Sequence, residues 1–108
     1  IYIHVKDIVE AFVFAINNFQ KLKNNVYNLG LSSGNITKIQ LAKKIKKYIK
    51  DLEIKIIKNR EDPDKRDYYV SNKKIEKQGF KAKVSLDTGI KELIKIFRYC
   101  DIKFKNNY

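Results

Sequence analysis

Two of the three arginines in this 108-residue chain stand in one short, strongly charged segment, residues 60–67. Arg60 and Arg66 are separated by the only proline, Pro63. A planar guanidinium group can donate two parallel hydrogen bonds to phosphate oxygens, which suits arginine to binding a diphosphate. The alternative is that both arginines are solvated and pair with the acidic residues around them. Those residues are Glu61, Asp62, Asp64 and Asp67.

The other residue types that perform chemistry are too sparse to form a site. His4 is the only histidine, and a lone histidine is more often packed or hydrogen-bonded than a base or a metal ligand. Cys100 is the only cysteine, so no internal disulfide and no zinc site with a second thiolate can form. The acidic residues show no metal-loop spacing. We therefore expect no catalytic residue and no metal, and the cysteine usage indicates a reducing, cytoplasmic compartment.

The net charge of +12 could indicate a nucleic-acid site, but the kind of basic residue favours another interpretation. Lysine supplies 21 of the 24 basic residues, whereas phosphate and base recognition usually favours arginine. Many of these lysines lie opposite the apolar positions of one predicted helix, as on a solvated surface. They are Lys43, Lys44, Lys46, Lys47 and Lys50. We expect nucleic acid not to be a partner, and a stand-alone basic nucleic-acid-binding module is the alternative.

Length and composition predict one small globular domain. A chain with 44% hydrophobic and 12% aromatic residues can bury a modest core. No apolar run approaches the roughly 20 residues that a membrane-spanning helix needs. Ile1 opens in mid-pattern, without a basic stretch followed by an apolar one. We therefore expect neither a signal peptide nor a membrane segment.

Hydrophobic periodicity and capping residues predict four helices and several short strands. The strands fall at residues 2–5, 26–29, 53–57 and 68–70. The first helix has Asp7 as its N-cap. The second begins with a capping box of Thr37 and Gln40 and ends near Leu52. The third has Ser71 or Asn72 as its N-cap and is ended by Gly79, and the last has Ser85 as its N-cap. The buried face of the first helix comprises Ile8, Ala11, Phe12, Ala15, Ile16 and Phe19. That of the last comprises Leu86, Ile90, Leu93, Ile94 and Phe97.

Six segments in this order resemble the C-terminal part of extended short-chain dehydrogenase/reductase enzymes that act on nucleotide sugars. They span nearly the whole chain, from residue 2 to about residue 98. No single segment is decisive, but their order and spacing together are fairly specific. The segments are YIHVKDIVEA at 2–11, VYNLG at 26–30, ITKIQLA at 36–42, DPDKR at 62–66, SNKKIEKQGF at 71–80 and SLDTGI at 85–90.

The resemblance implies a function and a set of site residues. Members of this family are NAD-dependent epimerases and dehydratases, such as the UDP-glucose 4-epimerase-like enzymes. Their C-terminal part binds the nucleoside-diphosphate sugar, while an N-terminal Rossmann domain binds NAD. The matching substrate-binding residues here are Arg60 and Arg66 for the diphosphate and Asp64 for the ribose. The alignment of Arg60 is the looser of the two because loop lengths vary within the family.

The cofactor site and catalytic residues of that family have no counterpart in this chain. There is no Gly-x-Gly-x-x-Gly turn. The string Tyr-x-x-x-Lys occurs three times, at 2–6, 69–73 and 99–103. The catalytic pair needs one helix, on which residues four apart share a face. None of the three strings is predicted to lie within a helix, so we assign none of them.

The expected organisation is a mixed α/β lobe (α+β), normally appended to a Rossmann domain. Residues 1–100 form the nucleotide-sugar-binding portion, and residues 101–108 form a frayed tail. NAD is implied for the parent enzyme and not for this chain, which we expect to be non-catalytic alone. Without the Rossmann domain its first helix would expose apolar surface, so we expect the isolated chain to self-associate or to rearrange and cover the face of Phe12 and Phe19. A truncated remnant without a ligand is a further alternative.

Overall fold

The computed structural model describes residues 1–57 and 69–100. It contains five α-helices and one turn of 3-10 helix, joined by irregular segments. In chain order they are α1 (Val5–Asn17), α2 (Phe19–Leu22), the 3-10 turn (Ser32–Gly34), α3 (Lys38–Lys46), α4 (Lys73–Glu76) and α5 (Leu86–Tyr99). The described residues contain no β-strand. Residues 58–68 and 101–108 lie outside the described part, and the second of these ranges is the predicted frayed tail.

The expected mixed α/β lobe is therefore wrong, because the described residues form a helical fold. The segments predicted as strands find no partner strand with which to form a ladder. The nearest approach is at Tyr2, whose N–H donates to the carbonyl of Gly34 over 3.0 Å. The Tyr2 carbonyl accepts from the N–H of Leu31 over 3.2 Å. Two isolated bonds do not make a sheet, since strands become stable only when several pair.

The N-cap of α1 lies three residues before the predicted N-cap. His4 is the N-cap, and its Nδ1 accepts a hydrogen bond from the backbone N–H of Lys6 over 3.2 Å. Its Nε2 donates to Glu92 of α5 over 2.9 Å. The sequence predicted Asp7 as the N-cap, but Asp7 lies inside the first turn and is 1% exposed. Its carboxylate is therefore free to bind a different part of the chain.

The carboxylate of Asp7 accepts two backbone hydrogen bonds from the segment before α5. Oδ1 accepts from the N–H of Lys83 over 3.0 Å, and Oδ2 accepts from the N–H of Val84 over 2.9 Å. A charged acceptor makes each bond stronger than one between neutral groups. The two bonds fix the rotation of α1 about its axis, with Asp7 facing inward.

The core beneath α1 is built on Ala11, Ile75 and Phe80. Phe14, one helical turn beyond Ala11, places its ring 5.6 Å from the ring of Phe80. Tyr27 and Leu29 pack against the same cluster. Positions 7, 11 and 14 share one side of a helix, so this side is the inner face of α1.

The predicted inner face of α1 is therefore partly wrong. Phe12, Ile16 and Phe19 were expected to be buried, but their side chains are 67%, 74% and 61% exposed. The helix carries apolar residues around most of its circumference, so periodicity alone does not determine which side packs. The buried carboxylate of Asp7 makes that selection.

Helix α4 ends as the sequence predicted. Gly79 has a φ of +108°, which glycine adopts without strain. Its N–H donates to the carbonyl of Glu76 over 3.0 Å, and the N–H of Phe80 donates to Ile75 over 3.4 Å. This is the Schellman arrangement, with the usual apolar contact between the residues on either side of it, Ile75 and Phe80. The turn delivers Phe80 into the core.

The caps of α3 and α5 are also confirmed. The Thr37 hydroxyl accepts from the N–H of Gln40, and the Gln40 side chain accepts from the N–H of Thr37. Ser85 accepts from the N–H of Thr88 over 3.0 Å. Helix α3 ends earlier than expected, at Lys46 instead of Leu52, and the chain continues in turns.

The predicted buried face of α5 is only partly correct. Ile90 is buried, and Leu86 and Ile94 are half-buried. Leu93 and Phe97 are exposed to 55% and 50%, so the far end of α5 stands away from the core.

Candidate functional site

The three predicted substrate-binding residues, Arg60, Asp64 and Arg66, all lie outside the described residues. Their predicted contacts with a diphosphate and a ribose therefore stay predictions. The structure does describe the segment that follows them, which resumes at Tyr69. Three consecutive residues of that segment are anchored. Side chains of other asparagines bind the backbone of Val70 and Ser71, and Asn72 is itself buried.

Asn35 binds the backbone of Val70 in both directions. Its Nδ2 donates to the Val70 carbonyl and its Oδ1 accepts from the Val70 N–H, each over 3.0 Å. One amide side chain thus supplies the donor and the acceptor that a neighbouring strand would otherwise provide. Asn28 adds a bond from its Nδ2 to the carbonyl of Ser71 over 3.3 Å.

Asn72 continues this contact into the protein interior, where it is 3% exposed. Its Nδ2 donates to the hydroxyl of Ser32 over 3.3 Å, and that hydroxyl donates to Glu76 over 2.6 Å. Its Oδ1 is buried and has no hydrogen-bond partner among residues 1–57 and 69–100. A Cβ added at Gly30 would lie 3.4 Å from this oxygen and 2.2 Å from Cδ1 of Ile1. A side chain at position 30 would therefore require the side chain of Ile1 to move.

A second polar cluster, the Asp87 cluster, joins α3 to the first turn of α5. The Lys44 ammonium lies 2.6 Å from Oδ2 of Asp87. The Tyr48 hydroxyl donates to Oδ1 of the same carboxylate over 2.7 Å. The hydrogen bond from Lys44, followed by that from Tyr48, lowers the pKa of Asp87 below its ordinary value.

The Asp87 cluster is unsuited to acid–base catalysis. The hydrogen bond to Asp87 is the largest of the effects that raise the pKa of Tyr48. A catalytic tyrosine needs the opposite shift, so that it can lose its proton near neutral pH. Asp87 remains ionised and Tyr48 protonated at neutral pH, and the cluster holds two helices together.

A cleft of about 330 Å³ opens beside this cluster, between Tyr48 and the far half of α5. We call it the basic cleft, and its lining residues are Tyr48, Lys91, Ile94, Lys95, Arg98 and Tyr99. The Lys91 ammonium lies 5.5 Å from the centre of the Tyr48 ring. The sequence analysis missed this site, although Lys91, Lys95 and Arg98 have the spacing of one helix face. Tyr48 comes from a distant segment, and only the fold brings it to them.

The outer face of α1 is an apolar surface that no described residue covers. Six large apolar side chains on α1 and the start of α2 are each more than half exposed, from 52% for Val13 to 74% for Ile16. The other four are Val5, Val9, Phe12 and Phe19. A contiguous apolar patch of this kind is typical of an interaction surface.

The remaining candidates form no site. The described residues contain no group of three or more potential metal ligands. In the Tyr-x-x-x-Lys strings at 2–6 and 69–73, the tyrosine precedes the helix that contains the lysine, α1 or α4. Neither tyrosine therefore lies on the same helix as its lysine. Lys103 lies outside the described residues. No helix in the described ranges has the length and apolar character needed to cross a membrane.

The chain matches no known protein-family model. The resemblance to the nucleotide-sugar enzymes therefore depends on the six segments themselves. Two of their local features have a clear structural role. Gly79 and Phe80 form the Schellman turn, and Asp7 binds the segment that leads into α5.

Proposed function

We propose that this chain is the nucleoside-diphosphate-sugar-binding part of an NAD-dependent epimerase or dehydratase of the extended short-chain dehydrogenase/reductase family. In this proposal a Rossmann domain outside these residues binds NAD and supplies the catalytic tyrosine and lysine. The present chain binds the substrate and performs no chemistry alone. Arg60 and Arg66 bind the diphosphate, and Asp64 accepts a hydrogen bond from the ribose.

The observation that carries this proposal is the outer face of α1. This helix is apolar on both sides: one side packs on Ile75 and Phe80 through Ala11 and Phe14, and the other is exposed. A helix between two domains needs an apolar surface on each side. The resemblance places the Rossmann domain against this helix, and the exposed Phe12 and Ile16 suit such a contact.

The contacts around Val70 support the location of the substrate site. In the sequence, Arg66 stands four positions before Val70. Asn35 and Asn28 hold Val70 and Ser71, and the buried Asn72 follows. A loop that binds a ligand benefits from a fixed end, because less conformational entropy is then lost on binding.

Thermal denaturation of the chain with a series of nucleoside diphosphates and their sugars tests the proposal. A ligand that binds only the folded state raises the melting temperature as its concentration exceeds Kd. With a nucleoside-diphosphate sugar as ligand, we expect Arg66→Ala to reduce the shift, since a lost bidentate contact weakens binding about tenfold or more. Lys46→Ala, which removes an exposed cation of α3 outside the charged segment, is the control and should retain the shift. A chain whose melting temperature no nucleotide changes would contradict the proposal.

The intact mass of the protein in its source cells gives an independent test. A polypeptide several-fold heavier than 12.8 kDa would support a covalently attached cofactor domain. A native mass near 12.8 kDa would refute attachment in one chain. It would then favour a ligand-free remnant or a binding module.

A further inference from the structure

The basic cleft concentrates positive charge on one side of α5. Lys91, Lys95 and Arg98 follow the i, i+4, i+7 spacing that places them on one face of a helix, and all three line the cleft. Their backbone positions span about 10 Å along the helix axis. One ligand the size of a nucleotide can therefore contact more than one of these cations.

The positive charge of the cleft is only partly balanced. Lys95 and Arg98 form no ion pair with a carboxylate within the described ranges. Of the two acidic residues of α5, Asp87 is bound by Lys44 and Tyr48, and Glu92 lies 2.9 Å from Nε2 of His4. Lys47 also lies close enough to Asp87 to lower the pKa of its carboxyl group. The cleft therefore presents surplus cations to an anion.

Two tyrosine rings border the same cleft, and they differ in how accessible each ring is to a ligand. The Lys91 ammonium already lies over the Tyr48 ring at 5.5 Å from its centre. Tyr99 is 81% exposed, so its ring is available to a planar partner. A base that stacks on an aromatic ring while its phosphate contacts cations is the usual mode of binding single-stranded nucleic acid.

We propose that the basic cleft binds a nucleotide, either free or as one unit of a single-stranded nucleic acid. Lys91, Lys95 and Arg98 contact the phosphate, and the base stacks on Tyr99. The cleft volume of about 330 Å³ suits one nucleotide. This site uses no residue of segment 58–68, so it stands or falls independently of the proposed sugar-nucleotide function.

Fluorescence anisotropy of the 108-residue chain with a labelled oligouridylate tests the site. Lys95→Glu should weaken binding about tenfold or more, because it replaces a phosphate contact by a repulsive charge. Lys46→Glu is the matched control: it makes the same charge change on an exposed residue of α3 that does not line the cleft. We expect it to weaken binding less than about threefold. Equal losses in both variants would overturn the proposal in favour of nonspecific attraction.

The salt dependence measures how many phosphates are contacted. Since the three cations contact the phosphate of one nucleotide, we expect a slope of about −0.7 for the logarithm of the association constant against the logarithm of salt concentration. Lys95→Glu should make the slope shallower. A slope unchanged by this variant would overturn the assignment of Lys95 as a phosphate contact.

Tyr99 tests the base contact separately. Tyr99→Ala should weaken oligouridylate binding about tenfold, whereas Tyr99→Phe should retain it, because stacking needs the ring and not the hydroxyl. Tyr69→Ala, which removes another exposed ring, is the control and should have no effect. If the alanine variant at Tyr99 also has no effect, the cleft is a bare anion site and the nucleotide proposal fails.

Competition identifies the source of the nucleotide. Displacement by uridine monophosphate at concentrations similar to the oligomer indicates a free nucleotide as ligand, and displacement by the oligomer alone indicates single-stranded nucleic acid. Either result supports the proposal. Binding to phosphatidylglycerol vesicles without binding to either nucleotide probe would overturn it and assign the basic residues of α5 to a lipid surface. Arg66→Ala should leave all of these measurements unchanged, which separates this site from the predicted diphosphate loop.

Discussion

Asp7 and Asp87 are carboxylates in the first turns of the two longest helices, and they stabilise the fold in different ways. Asp7 is 1% exposed and accepts two backbone N–H groups from residues 83 and 84. The side chain of Asp87 is 40% exposed and is bound by two flexible side chains, Lys44 and Tyr48. The first contact joins α1 to the segment before α5, and the second joins α5 to α3.

The difference teaches how burial sets the importance of a charged contact. Asp7 itself is buried, so its two charge-assisted hydrogen bonds form at a carboxylate with little access to solvent. Lys44 and Tyr48 are half-buried, so solvent can replace Asp87 as their partner. The two carboxylates should therefore differ in every test that removes them, although their helix positions are nearly equivalent.

The largest effect is expected for Asp7→Ala. Loss of two charge-assisted hydrogen bonds at a buried carboxylate should lower the free energy of unfolding by about 3 kcal/mol. Urea denaturation followed by circular dichroism measures it. Asp7→Asn keeps one acceptor oxygen and should fall between wild type and Asp7→Ala. A loss below about 1 kcal/mol for Asp7→Ala would show that Lys83 and Val84 find other acceptors.

A smaller loss is expected for Asp87→Ala. The variant separates α3 from the start of α5 but leaves solvent access to both former partners. Its urea midpoint should lie between those of wild type and Asp7→Ala. Tyr48→Phe, which removes one of the two hydrogen bonds, serves as the partial control. If Asp87→Ala proves as destabilising as Asp7→Ala, burial is not what distinguishes the two carboxylates.

The pH dependence gives a still smaller and directional effect. The pKa of Asp87 is lowered in the folded state, so its contribution to stability is complete above its ordinary pKa near 3.8. That contribution disappears as pH falls through the lower folded value. Melting curves of wild type and Asp87→Asn should therefore converge towards strongly acidic pH. A constant difference across the acid range would contradict the lowered pKa.

Tyr48 gives the corresponding test at alkaline pH. Its pKa is raised, so its contribution is complete below its ordinary pKa near 10.0 and is lost as pH rises through the folded value. Tyr48→Phe has no proton to lose there. The stability difference between the two proteins should shrink at high pH, as differential scanning fluorimetry would detect.

The smallest effect on stability is expected on the outer face of α1. Phe12 and Ile16 are 67% and 74% exposed, so replacing both with glutamine should leave the urea midpoint almost unchanged. The same variant should abolish the self-association that we predict for the isolated wild-type chain. Sedimentation velocity measures this, with Lys6→Gln as the control. A wild-type chain that stays monomeric at high concentration would contradict the prediction.

Features encoded by neighbouring residues could be predicted from the sequence. The capping box at Thr37 and the Ser85 cap each involve residues three apart. Gly79 ends α4 because a positive φ excludes most other residues there. These outcomes depend on local geometry, which the sequence shows directly.

Features that join distant segments could not be predicted in this way. The strands at 2–5 and 26–29 were wrong because strand formation depends on a partner that periodicity does not reveal. The inward rotation of Phe14 instead of Phe12 depends on Asp7 binding residues 83 and 84. The basic cleft needs Tyr48 beside α5, and the predicted site residues Arg60, Asp64 and Arg66 lie outside the described residues.

The pairing of Asn35 with Val70 has a consequence for how this protein can vary. The side-chain amide of Asn35 binds the backbone in one orientation, in which its oxygen accepts from an N–H and its nitrogen donates to a carbonyl. The position of Val70 is thus set by contacts with distant residues, Asn35 at Val70 itself and Asn28 at Ser71, and not by the number of residues in segment 58–68. Insertions or deletions between residues 58 and 68 should leave everything after Val70 in place. Segment 58–68 can therefore change in length without disturbing the helices that follow.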